Sequence, residues 1–269
     1  MSGFSADWLT LREPYDLRAR NAMVLDAVAA HLNSNFSVQV VDLACGTGPT
    51  AHALGPHLPV RQNWRLIDND LSLLARARAT PAPKDTAINV IPLDINRDLE
   101  AALDGAVDLV ATSALLDLVS ESWLDRLAVM IVARGVPLYA ALSYDGRTKL
   151  TPSDPFDAEI AAAVNNHQRT DKGFGPALGP AAAALAIARF EALGYSVVHG
   201  TSDWMMGPDD FEIQTEILAG WASAAHDMGA LSQADTAAWL TRRRDCIAAG
   251  SFLLSVGHVD FFAMPSATR

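Results

Sequence analysis

Val40-Val41-Asp42-Leu43-Ala44-Cys45-Gly46-Thr47-Gly48 is the stretch that decides the fold of this chain. A β-branched run ends in an acid, two glycines one residue apart follow, and a helical pattern continues from Pro49 to Leu58. The order is strand, tight turn, helix start. Glycine tolerates positive φ and removes the side chain that would hold a ligand off the backbone. The unpaired N–H groups of the following helix then face whatever occupies the turn. A nucleotide-like ligand is expected there.

Gly46 to Ala51 also fits the loose dinucleotide fingerprint, and Asp68 lies twenty residues beyond Gly48, where a ribose-binding acid belongs. A nicotinamide-dependent oxidoreductase is therefore one reading. Three features point elsewhere. Asp42 precedes the glycines inside the strand, where a dinucleotide-binding strand is apolar. A second strand ends Leu66-Ile67-Asp68-Asn69-Asp70 and passes into the helix Leu71 to Arg78. A third, Asn89-Val90-Ile91-Pro92-Leu93, ends in Asp94. With Asp108-Leu109-Val110-Ala111-Thr112-Ser113 farther on, this series resembles the class I S-adenosylmethionine-dependent methyltransferases over residues 36–145.

The resemblance implies a doubly wound, mostly parallel seven-stranded sheet of Rossmann-like type, with an antiparallel last strand and helical insertions. It places Asp42, Ala44, Cys45, Gly46 and Gly48 under the methionyl part of S-adenosylmethionine. Asp68, with Asn69 beside it, matches the ribose acid; a carboxylate offers a vicinal diol two acceptor oxygens. Asp94 matches the acid beside the adenine, with Ile95 against the ring, and Ser113 and Ala114 fall near the sulfonium. Many small-molecule members carry a histidine after the apolar pair in that loop; here Leu115-Leu116 is followed by Asp117.

Composition fits an ordinary enzyme domain. Of 269 residues, 50% are hydrophobic, and no apolar run reaches the length of a bilayer span. The start, Met1 to Asp7, lacks a basic region and an apolar core, so no export signal is read and a cytoplasmic location is expected. Two cysteines, Cys45 and Cys246, show no metal-ligand spacing, and no metal is expected. Cys45 reads as a small residue in a crowded turn rather than a reactive thiol. A net charge of −11 argues against nucleic-acid substrates. Arg242-Arg243-Arg244, the one dense basic cluster, reads as a solvated helix face or a partner contact.

The alternation of elements predicts strands at 38–43, 63–68, 88–93, 107–112, 136–142 and 195–199, and an antiparallel one within 252–263. The whole is read as one domain, 1–269: a helical cap at 1–35, a cofactor-binding core at 36–145, a lid at 146–180, and a second half at 181–269 carrying a helical insertion at 208–250. Trp221 and Trp239 in that insertion read as core anchors. The lid is irregular, with Gly173 and Gly175 as hinges around Phe174 and with His167, Arg169, Asp171 and Lys172 close together. His258 and Asp260, alternating with apolar neighbours in the last strand, read as a buried hydrogen-bonding pair or a solvent-facing side.

In the N-terminal cap, Pro14 is expected to break the helix, and Arg12 or Arg20 to reach the cofactor carboxylate. The expected chemistry is transfer of a methyl group from S-adenosylmethionine to a small-molecule oxygen, nitrogen or carbon, by in-line displacement. His167, Asp117 or Asp145 would serve as general base. Arg169 and Lys172 point to an anionic acceptor. A non-catalytic S-adenosylmethionine-binding protein stays open beside the oxidoreductase, and the acceptor and the oligomeric state are not legible.

Overall fold

The computed structural model describes residues 5–59, 61–80, 82 and 85–266. Residues 1–4, on which the export-signal reading turns, lie outside that range. Strands β1 (Ser37–Leu43), β2 (Arg61–Asp68), β3 (Thr86–Pro92), β4 (Leu109–Ser113) and the first part of β5 (Leu138–Thr151) pair in parallel. After β6 (Tyr195–Thr201) and the short β7 (Trp204–Met206), the last strand, β8 (Leu253–Pro265), inserts antiparallel between β5 and β6. The order is β3-β2-β1-β4-β5-β8-β6, with β7 paired to β8.

The eighth strand exceeds the seven expected, and the reason is length. β5 and β8 run 14 and 13 residues, beyond the end of the parallel part. The edge chain therefore leaves β8 after Thr201, opposite Val259, and rejoins it at Trp204, opposite Val256. The same extension makes residues 146–151, expected as the start of a lid, a strand instead.

Helices α1 (Ala6–Ala19) and α2 (Ala22–Leu32) precede the sheet. One face is covered by α2, α3 (Pro49–Leu54) and α4 (Leu71–Ala79), around Val38, Val40, Trp64 and Tyr139. The other is covered by α5 (Leu99–Ala102) and α6 (Glu121–Arg134). Beyond α7 (Asp157–His167), α8 (Ala182–Ala192) joins that second layer, around Val41, Leu43, Val110 and Phe261. Successive side chains of a strand take opposite faces, so a central strand covered on both sides buries apolar residues toward each; in β1 these are Val38, Val40, Val41 and Leu43, and the buried Asp42 is the exception. A third cluster joins α7, α9 (Phe211–Asp227) and α10 (Gln233–Ala248) to the long ends of β5 and β8. Trp221 and Trp239 are buried in it, as expected.

Two expectations need correction. α1 runs unbroken through Pro14 and ends at Arg20, where Asn21 caps α2 by accepting from the Val24 N–H at 3.2 Å. A buried Arg12–Asp16 pair at 2.9 Å spans the proline and offsets its missing backbone bond. The arginine cluster is a solvated face only in part: Arg242 and Arg244 are exposed, and Arg243 is the exception. Arg243 is 1% exposed, pairs with Asp157 and donates to the Pro152 carbonyl at 2.6 Å. Arg242 pairs with Asp154 at 2.6 Å. The two arginines bind α10 to the β5–α7 connection. No helix among the described residues is long and apolar enough to cross a membrane.

Asp260, fully buried in β8, accepts from the Leu142 N–H at 2.7 Å and the Asn21 N–H at 3.0 Å. It so fastens the α1–α2 junction to β5. Asp260→Ala leaves both N–H groups buried and unpaired, and we expect a loss of roughly 3 kcal/mol. In urea this should appear as a lower midpoint with an unchanged slope; a midpoint equal to wild type would remove Asp260 from that role.

Candidate active site

The strand order reverses between β1 and β4, and the carboxyl edge at such a reversal is where an open α/β sheet forms its crevice. Three non-glycine residues here hold positive φ: Ala44 after β1 (54°), Ala114 after β4 (51°) and Leu142 within β5 (51°). Left-handed backbone in a side-chain-bearing residue is strained, and three neighbouring strands carry it at one edge. In the turn itself Gly46 and Gly48 take φ of 55° and 88°. The Cys45 N–H donates to the Ile67 carbonyl (2.9 Å) and the Gly46 N–H to Asp68 (2.9 Å). The other oxygen of Asp68 accepts from the Asp70 N–H at 2.9 Å, and Asn69 beside it is exposed. Cys45 is buried and its thiol is pushed up by burial, then by the Asp42 and Asp68 charges, which makes it an inert small residue as read.

Beneath the turn lie two opposite charges with nothing to hold. Asp42 is fully buried, and neither carboxyl oxygen has a hydrogen-bond partner among the described residues. Burial pushes it up to about 7, while the Thr50 hydroxyl and the Arg20 guanidinium pull the other way. Arg20, 9% exposed, has all three guanidinium nitrogens enclosed and unpartnered. Burial opposes its charge, and Tyr139, Asp260, Asp16 and Asp42 sustain it. A ligand bearing a carboxylate and an ammonium would satisfy both groups. Of the two arginines expected here, Arg12 is committed to Asp16 and to the face of Trp204 (5.1 Å to the ring centre), so Arg20 is the free one.

At the far side, Asp94 accepts from the Asn96 N–H at 2.9 Å, and Asn96 donates to the Gly173 carbonyl at 2.7 Å. The segment after α7 therefore reaches the Asp94 end of the crevice. It is not hinged as expected. The Gly173 and Gly175 N–H groups both donate to one oxygen of Asp171 (2.6 and 3.0 Å), and the Phe174 ring packs edge-on against Trp123, 5.5 Å between centres. Ile95 is buried, its carbonyl accepting from Trp123 Nε1 at 2.9 Å.

A second buried group lies where β4 and β5 end. Asp117 is 6% exposed, keeps one oxygen unpartnered and is pushed up to about 6 by burial; the Tyr144 N–H and the Arg12 charge act against that shift. Ser113 and Ala114 are half-buried just before it. His258 in β8, opposite Tyr144, is also 6% exposed, with Nδ1 enclosed and unpartnered. It is not bonded to Asp260, whose partners are backbone groups. Trp204 closes this end, 5.0 Å from the His258 ring and 6.3 Å from Trp8. His167 and Asp145 stand outside the cluster. His167 faces Lys172 (3.4 Å) and Asp227 (3.8 Å), and burial with Lys172 lowers it. Asp145 is bound to Arg147, which also holds Asp203. Sequence reasoning passed over His258 and Trp204; the polar alternation of the last strand was the signal for the first, and Trp204 had none.

Ten of the fifteen buried unpartnered side-chain atoms among the described residues belong to Arg20, Asp42, Asp117, Tyr139, Ser143, Ser202 and His258. Such groups cost free energy unless a ligand completes them. The covering element is α1. Leu9 lies 3.3 Å from where a Cβ on Gly46 would stand, Glu13 meets His52 at 3.1 Å and Asp7 meets Arg76 at 3.5 Å. Two open concavities lie elsewhere, about 560 Å³ beside Phe36, Arg61 and Asp85 and about 400 Å³ between Phe211 and Ile247. Neither carries this chemistry; the edge described here is covered by α1.

The Asp42 carboxyl gives a pH signature. Unfolded, it loses its proton near 3.8; folded, only near 7, so the native state binds more protons between and stability falls as pH rises through that window. We expect the stability of wild type relative to Asp42→Asn to drop between about pH 4.5 and 7.5 in urea titrations. A difference that stays constant across that range would show Asp42 ionised throughout.

No protein-family model and no curated protein matches the chain. Solved structures do resemble it. A cyclopropane-fatty-acyl-phospholipid synthase-like protein from Lactobacillus casei superposes with a TM-score of 0.53 at 13% identity, over 97% of this chain and 94% of that one. A SAM-dependent methyltransferase from Geobacter sulfurreducens, in complex with S-adenosyl-L-homocysteine, gives 0.46 at 18% identity over 98% and 100%. A cyclopropane synthase from Mycobacterium tuberculosis gives 0.46 at 11% over 97% and 94%. Of these three only the first exceeds 0.5, and at such identity it speaks for the fold alone. The strand order, the inserted antiparallel β8 and that superposition give the chain the fold of the class I S-adenosylmethionine-dependent methyltransferases.

Proposed function

We propose that this chain binds S-adenosylmethionine and transfers its methyl group to a small-molecule acceptor. The observation that carries the reading is the buried, unpartnered Arg20 and Asp42 beneath the glycine turn, a match for the carboxylate and ammonium of a methionyl head. Asp68 would take the ribose hydroxyls with its remaining lone pairs, and Asp94 the adenine amine. A dinucleotide offers no such zwitterion, and a buried acid in β1 suits a pyrophosphate poorly. The residues present fit the cofactor, which would supply an activated methyl group.

In this reading the chain is one methyltransferase domain. Residues 1–35 cap the 36–145 core, the segment 146–180 shields the Asp94 end, and 181–269 complete the sheet. Displacement at a sulfonium draws on alignment and exclusion of water, and α1 supplies both when closed. Its exposed Asp7–Arg76 pair contributes little to holding it there. Asp117, ending the loop after β4, is the residue we place nearest the acceptor, ahead of His167 and Asp145. Arg169 and Lys172 on the shielding segment would favour an anionic acceptor in the cytoplasm.

Calorimetry should find that S-adenosylmethionine and S-adenosylhomocysteine bind and nicotinamide dinucleotides do not. Arg20→Gln and Asp68→Ala should each weaken binding by roughly 1.5–3 kcal/mol, the range for a hydrogen bond to a charged group. Unchanged affinity in Arg20→Gln would refute the methionyl assignment. With methyl-labelled donor and a desalted metabolite extract, Asp117→Asn should lower turnover far more than affinity. Binding without any labelled product would instead make the chain a cofactor-binding protein.

A further inference from the structure

We propose that Tyr139 is a positioning residue: its hydroxyl holds the buried Arg20 guanidinium off Asp42, so that the two opposite charges stay unpaired for a zwitterionic ligand. The inference rests on the methionyl assignment of Arg20 and Asp42 and adds the group that keeps them apart.

The geometry begins with the sheet. Asp42 of β1 lies in register with Ala111 of β4, and Ala111 with Tyr139 of β5. Register partners in a parallel sheet share a face, so the three side chains form one row. Two strand spacings set its ends about 10 Å apart, with only the Ala111 methyl between carboxyl and phenol. Arg20, at the α1–α2 junction, reaches this row, and its charge acts on Asp42 and Tyr139 alike. Asp42 is also faced by Thr50 from α3, Asp68 from β2 and Cys45 from the turn.

Four titratable groups face the Arg20 guanidinium: Tyr139, Asp260, Asp16 and Asp42. Two are committed elsewhere. Asp260 accepts from the Leu142 and Asn21 N–H groups, and Asp16 from Arg12 and Trp204. Asp42 and Tyr139 keep unpartnered oxygens, and Arg20 keeps three unpartnered nitrogens. Opposite charges in a low-dielectric interior attract strongly, and a two-point Arg20–Asp42 pair would satisfy both. That pair does not form. The phenol, which burial keeps protonated, stands at the other end of the row and offers the guanidinium an acceptor oxygen there. A phenylalanine would fill the same space without burying a hydroxyl, and an unpaired buried hydroxyl costs stability. Such a group persists where it preorganises a site.

Tyr139→Phe tests the proposal. Without the hydroxyl Arg20 closes on Asp42, so the variant should be at least as stable in urea as wild type at about pH 7. Pairing with Arg20 brings the folded Asp42 back from about 7 toward or below its unfolded 3.8, so the native state no longer binds the extra proton. The fall in stability between about pH 4.5 and 7.5 should therefore shrink or vanish. In calorimetry S-adenosylhomocysteine should bind about tenfold more weakly, while 5′-methylthioadenosine, which lacks the amino-acid head, binds as to wild type. In an Arg20→Gln background, Tyr139→Phe should cause no further loss. A lower urea midpoint, an unchanged pH profile, wild-type affinity for S-adenosylhomocysteine, an equal loss for both ligands or a further loss in the double variant overturns the role. Wild type that binds no S-adenosylhomocysteine, or Arg20→Gln that binds it as wild type does, refutes the methionyl reading itself, an outcome distinct from a silent Tyr139→Phe.

Discussion

The carboxylate of Asp260 is the interaction on which the candidate site depends. It sits in the inserted strand β8, fully buried, and receives one backbone N–H from the bulge of β5 and one from the junction of α1 and α2. A buried polar group there is tolerable because two backbone N–H groups pair with it. Those same bonds fix the left-handed turn at Leu142 and hold the residue before Asn21 inward. Arg20 is that residue. The cap and the sheet thus meet at one carboxyl group, and the arginine beneath the glycine turn has its place because of it.

Around this anchor the molecule tolerates defects that would be errors in an ordinary core. Strain appears at Ala44, Ala114 and Leu142, and unpaired polar atoms gather on Arg20, Asp42, Asp117 and His258. Both are expected where a site is preorganised for something that is to bind, because strain and missing partners persist only where rigid surroundings hold them. The surroundings here are rigid: two apolar layers cover the sheet, and the third cluster of α7, α9 and α10 braces the extended ends of β5 and β8. Arg243 and Arg242 tie that third layer to the β5–α7 connection, so the insertion at 208–250 acts as a buttress for Tyr144, Trp204 and His258.

Helix α1 differs from these layers. It carries a proline, meets α3 through a part-buried Glu13–His52 hydrogen bond and α4 through an exposed Asp7–Arg76 pair, and buries Arg12 and Asp16 against Trp204. Its N-terminal half meets the glycine turn through Leu9, its middle is bound to β7 through Asp16 and Trp204, and its end is held by Asp260.

What the sequence determined by itself was the local chemistry. The strand–turn–helix at 40–58, the acids closing three strands and the alternation of apolar runs with helical patterns are written in nearest neighbours, and φ preferences, pleat period and capping make them legible. The paired tryptophans of the insertion and the inert Cys45 followed from composition and setting. Only the tertiary structure decided which charges are free. Arg12 and Arg20 look alike in sequence; one bonds Asp16 and packs on Trp204, while the other, held inward by the bond between Asn21 and Asp260, 239 residues apart, has no hydrogen-bond partner among the described residues. For the same reason His167 and Asp145, polar in a promising loop, turn out to be spoken for by Lys172, Asp227 and Arg147, while His258 in an apolar strand does not. Hydrogen-bond partners are set by long-range packing, and a sequence shows which groups need partners without showing which will find them.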